Sequence, residues 1–143
     1  MKKMAILALS AFFSMNAFAN NNVVYSCTTT DNQTLKVTKE GGNYVYSHGN
    51  TTFKNPVKEA LKNPESEIAG GSQFTTISLE LRNAGKSYIV GHIEATPKSP
   101  FEASVQIQDI KTGNDITSYK CRSDKPIRHN FDRKLMRKSG FAA

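Results

Sequence analysis

The chain has 143 residues, with 19 Lys and Arg against 12 Asp and Glu, two cysteines and no tryptophan. Its length is that of one domain and excludes a second independently folded unit. The net charge of +7 is concentrated near the C-terminus, which excludes a basic domain built to cover a polyanion; nucleic acid is not an expected partner.

Lys2 and Lys3 precede an apolar run, Ala5 to Phe13, that is too short to span a bilayer, and Ala17-Phe18-Ala19 has the A-x-A form of a cleavage site. Residues 1–19 therefore read as a cleaved signal peptide. The mature chain begins at Asn20, where a lipid-anchored protein would carry cysteine, so the expected destination is the periplasm or, beyond it, the medium. No transmembrane segment is expected. About 124 residues remain, and small exported domains of this size supplement a limited core with disulfides. Cys27 and Cys121 can pair only with each other within one chain. Their bridge would close a loop of roughly 95 residues, for which chain entropy gives at most about 4–5 kcal/mol.

Tyr25 to Thr30 and Leu35 to Thr38 are β-branched and aromatic segments separated by Asp31-Asn32, the pattern of a hairpin. Gly41-Gly42-Asn43 turns the chain into Tyr44 to His48, where Tyr44 and Tyr46 share a face. A short helix is predicted near 55–62, with Asn55 as its cap, Pro56 in its first turn, and Val57 and Leu61 on one side. Pro64 ends it, and Glu65 to Ser72 reads as an exposed loop.

Alternation is clearest in the second half. Ile77, Leu79 and Leu81 oppose Ser78, Glu80 and Arg82; Asn83-Ala84-Gly85-Lys86 turns into Tyr88 to Ile93; and Phe101, Ala103, Val105 and Ile107 form another inward row. Thr112-Gly113-Asn114 then leads to a last strand, Ile116 to Cys121. The predicted fold is mainly β, with about seven antiparallel strands in a small barrel or sandwich closed by the disulfide over residues 20–121. Leu35, Val37, Ile77, Leu79, Val105 and Ile107 are the predicted interior.

Residues 20–121 balance ten basic against ten acidic side chains, whereas 122–143 carry seven basic against two acidic. This basic tail is either a docked helix over 131–138, capped by Asn130 and stopped at Gly140, or a mobile segment. As a helix it would gather Arg133, Lys134, Arg137 and Lys138 on one side, a solvated face able to meet an acidic partner or an anionic membrane surface.

No catalytic constellation is visible. Ser72 follows two glycines, but Phe74 stands where a nucleophile elbow needs glycine, and no cofactor motif is present. C-x-x-C spacing is absent and His48, His92 and His129 lie far apart in sequence, so no metal centre is expected. An enzyme is not expected. The segment Gly70-Gly71-Ser72-Gln73-Phe74 is the predicted partner-binding loop, since small residues beside an aromatic can enter a partner's cleft.

Tyr25 and Cys27 after the signal, the meander, the Gly85-Lys86-x-Tyr88 hairpin and the closing Cys121 resemble small exported bacterial β-proteins. Among these are the periplasmic lysozyme inhibitors, β-barrels that plug a muramidase cleft through a Ser-Gly loop followed by an aromatic. The nearest counterpart here is Gly70, Gly71, Ser72 and Phe74, in a different order, and the Trp-rich strand of that group has no equivalent. In size and compartment the chain also resembles immunity proteins of type VI secretion systems. Both resemblances imply a protein-binding module that blocks a cell-wall-degrading enzyme or toxin. The competing expectation is an envelope protein that holds a lipid, glycan or small molecule.

Overall fold

In a computed structural model, residues 22–71, 74–95 and 102–140 are described; residues 1–19, expected from the sequence to be a signal peptide, lie outside them. The architecture is mainly β, a sandwich of two sheets. The first contains β1 (Val23–Thr28), β2 (Thr34–Glu40), β3 (Asn43–His48), β4 (Thr51–Pro56) and β10 (Arg128–His129), in the order β10-β1-β2-β3-β4. The second contains β5 (Glu67–Gly70), β6 (Phe74–Asn83), β7 (Lys86–Ala95), β8 (Glu102–Asp109), β9 (Asp115–Lys120) and β11 (Arg137–Ser139), in the order β11-β5-β6-β7-β8-β9. All pairings are antiparallel except β11 on β5. One short helix, α1 (Val57–Ala60), falls in the predicted place.

The seven predicted strands correspond to β1, β2, β3, β6, β7, β8 and β9, and four further strands complete the sheets. Two of these, β10 and β11, are too short for any sequence period to register. β4 alternates half-buried and exposed positions but has Phe53 as its single large apolar residue before Pro56, too little for a hydrophobic period, and β5 replaces the predicted exposed loop, with Ile68 buried. The six residues expected in the interior are all buried between the sheets, together with Tyr25, Tyr44, Tyr46, Leu81 and Val90. Three successive buried residues, Val23, Val24 and Tyr25, break the period of two because the β1–β2 register shifts between Val23 and Tyr25.

Both seams of the sandwich are closed by specific bonds. At one, Cys27 and Cys121 form a disulfide, with Cα atoms 5.7 Å apart, beside a bridge between Thr29 and Cys121 and hydrogen bonds from Thr30 N–H to the Lys120 carbonyl and from Arg122 N–H to the Thr28 carbonyl. At the other, Asn55 does not cap α1, whose N-cap position is Pro56 with no side-chain cap bond. Its amide instead pairs with the Arg82 backbone, accepting from N–H at 2.7 Å and donating to the carbonyl at 2.8 Å. One side chain thus imitates a strand neighbour on the edge of β6 that β5, paired only as far as Ser78, leaves open.

Glu80 belongs to the row expected to face solvent, yet the turn after α1 covers it and leaves it 2 % exposed. Its carboxylate accepts from Ser87 Oγ at 2.7 Å, Arg82 Nε at 2.8 Å and the Glu65 amide at 2.9 Å. Burial alone would raise its pKa. These donors outweigh burial and hold the carboxyl below the usual range.

Candidate functional site

Over its described residues the basic tail does not form the expected α-helix but runs extended against both sheets. A helix over 131–138 would bring Phe131 and Leu135 onto one face, whereas Phe131 and Met136 are buried and Leu135 is 62 % exposed. The segment forms a 3₁₀ turn at Arg133–Leu135 and then the strand β11. This extended course lets two apolar side chains fill two separate gaps. It also supplies hydrogen-bond partners to the open edge of β5.

Charge pairs fasten the tail to both sheets. Asp132 accepts from the Tyr44 hydroxyl at 2.5 Å and from Lys39 Nζ at 3.2 Å, while Arg133 pairs with Glu94 of β7. Arg137 meets Glu67 at 3.1 Å, and Ser139 Oγ donates to the same carboxylate at 2.8 Å. The Ser139 and Arg137 donors outweigh burial and hold the Glu67 carboxyl below its usual range. Arg133, Lys134, Arg137 and Lys138 therefore do not share a helical face. Two of them are ion-paired in the fold, and Lys134 and Lys138 point outward.

The predicted partner-binding loop forms the tip of the β5–β6 hairpin. Gly70 ends β5, Gly71 N–H donates to the Phe74 carbonyl at 2.9 Å, and Phe74 opens β6 with 52 % of its surface exposed. Ser72 and Gln73 lie outside the described residues. Behind the tip, Gly140 packs so closely on Gly70 that a side chain at 140 would meet the Gly70 carbonyl at 2.8 Å. The hairpin stem is thus flanked by β11 on the β5 side and by β7 on the β6 side.

Sequence separation concealed a second arrangement at the same end of the sandwich. His92 and Glu94, two residues apart on β7, alternate in phase with the buried Tyr88 and Val90 and turn toward the other sheet. His129 arrives there because β10 pairs with β1, placing it opposite Tyr25. The two imidazoles lie 4.0 Å apart between ring centres, and Phe131 packs on the His92 ring at 5.7 Å. His92 Nε2 is 3.2 Å from Glu94 Oε1, the same oxygen that Arg133 contacts. Burial is the main reason that the His92 imidazole sits below its ordinary pKa, which keeps it neutral at pH 7. Burial opposes ionisation of Glu94, but His92 and Arg133 outweigh it and keep the carboxylate charged. The in-phase spacing of His92 and Glu94 was the only sequence signal for this cluster.

The opposite end holds the third histidine. His48 Nε2 lies 2.9 Å from Thr29 Oγ1 and 3.6 Å from Asp31, with the Tyr119 ring edge-on at 4.7 Å. A nucleophile relay requires hydroxyl and carboxylate on different imidazole nitrogens, but here both meet Nε2. Thr29 Oγ1 also donates to the Gln33 carbonyl, and the group fastens the β1–β2 turn.

No family model, curated protein or solved structure matches this chain. Among the described residues no helix is long and apolar enough to cross a membrane, and the disulfide fits an oxidising compartment.

Proposed function

We propose that this protein is a periplasmic protein-binding module that inhibits a cell-wall-active enzyme, as an immunity protein against a peptidoglycan-targeting secreted toxin. The observation that carries this reading is the half-exposed Phe74 at the tip of a hairpin whose stem is flanked by β11 and β7. An aromatic anchor on a rigid support loses little conformational entropy on binding and suits insertion into a cleft. The mechanism is steric: the tip occupies the cleft and the disulfide-tied sheets hold it there. The outward Lys134 and Lys138 add cationic contacts at the rim.

The filled interior favours this over a ligand-holding barrel. Leu35, Val37, Ile77, Leu79, Val105 and Ile107 occupy the space in which a lipid or small molecule would sit.

The test is capture with the oxidised protein from envelope and secreted fractions of its own species, followed by peptidoglycan digestion with the captured enzyme. Added protein should abolish digestion, and Phe74→Ala should weaken inhibition at least tenfold. Digestion unaffected by the protein, or retention of lipid or glycan in place of an enzyme, overturns the reading.

A further inference from the structure

We infer that His92, Glu94 and His129 form a binding site for a divalent transition metal of the zinc class, with one coordination position left open to solvent. Each residue offers one ligand atom, two imidazole nitrogens and a carboxylate oxygen, and all three atoms lie within 4.8 Å of one another. Donors around a tetrahedral zinc ion stand about 3.4 Å apart at ligand distances of about 2.0–2.1 Å. The His92–Glu94 pair, at 3.2 Å, already has that spacing. His129 is exposed, and its ligand atom already lies within 4.8 Å of the other two.

The surroundings resemble those of a built site. His92 has a fully buried side chain held from behind by Phe131, and it shares the rigid strand β7 with Glu94, so two ligands are positioned by backbone pairing. The third comes from the other sheet. A metal ion here would tie β7 to β10, bracing the sandwich at a place the disulfide does not reach. Two imidazoles and a carboxylate form an N₂O set that suits Zn²⁺ and Cu²⁺ better than Ca²⁺ or Mg²⁺.

Arg133 determines how the site is entered. Its guanidinium rests on the Glu94 oxygen that would ligate the metal, and a cation at that distance opposes a second one. Metal entry therefore displaces Arg133 from Oε1. Removing the guanidinium should tighten metal binding while loosening the tail, opposite signs that a merely structural ion pair would not produce.

The experiment is a Zn²⁺ titration of the processed, oxidised protein, purified without a histidine tag, against a chromophoric chelator. Co²⁺ absorption reports the geometry. One equivalent should bind with micromolar or tighter affinity, and Co²⁺ should give the intense visible bands of a tetrahedral site. His129→Ala and Glu94→Gln, which leave the buried His92 in place, should weaken binding at least tenfold and abolish the rise in Tm that zinc gives the unmodified protein. Arg133→Ala should bind several-fold more tightly. Failure of the unmodified protein to bind one equivalent, or unchanged affinity in His129→Ala, overturns the site; unchanged affinity in Arg133→Ala overturns the displacement of the guanidinium.

Discussion

The Tyr44 hydroxyl donates a 2.5 Å hydrogen bond to Asp132, 88 positions further along the chain. This contact, with Lys39 on the same carboxylate, ties the tail to the first sheet while β11 is hydrogen-bonded to the second. Tyr44→Phe keeps the buried ring and removes only the donor. It should cost about 1–2 kcal/mol, the lower part of the range for a bond to a charged group, because Asp132 is partly exposed. Urea unfolding gives the magnitude. Hydrogen exchange at Arg137–Ser139 should accelerate, and unchanged protection there would show that β11 docks independently of Asp132.

The Cys27–Cys121 disulfide spans 94 residues and stands at the seam between the sheets. Replacing both cysteines by alanine should destabilise the protein by about 2–5 kcal/mol. Thermal unfolding of the reduced protein should show the same loss. A Tm insensitive to reduction would place the stability of this seam in the neighbouring backbone bonds instead.

Glu80 makes stability depend on pH in a defined direction. Its folded pKa lies below the unfolded value near 4.3, so its contribution is complete above about pH 4.5 and disappears as pH falls through the folded value. Glu80→Gln should cost about 1–3 kcal/mol at pH 7, because the buried Ser87 and the half-buried Asn63–Ser66 turn lose a charged acceptor. The difference between the two proteins should shrink toward zero in acid. A difference constant from pH 7 to pH 3 would contradict the assignment.

Two backbone positions around β7 predict opposite outcomes. Ala84 and Gly85 both have positive φ, 51° and 79°, in the β6–β7 turn, a conformation that asparagine adopts more readily than alanine. Ala84→Asn should raise stability by about 0.5–1 kcal/mol. At Gly91 a side chain would stand 2.6 Å from the Ile77 carbonyl oxygen on the paired strand. Gly91→Ala should therefore cost about 1–3 kcal/mol. Denaturant midpoints of the two variants, measured together, should move in opposite directions.

The sequence by itself determined the β class, the inward rows of β6 to β8 and the pairing of two lone cysteines, because alternation and composition are local properties of the chain. Tertiary structure decided the rest. β10 and β11 exist only because open strand edges accept them, and the tail is extended because Phe131 and Met136 fill gaps that no single helical stripe could reach. The same holds for the candidate sites. Phe74 was legible as an aromatic beside glycines, whereas His92 and His129, 37 positions apart, meet only because β10 pairs with β1 and so faces β7 across the sandwich. Proximity between sheets depends on the order in which strands pair, and hydrophobic periodicity carries no record of that order.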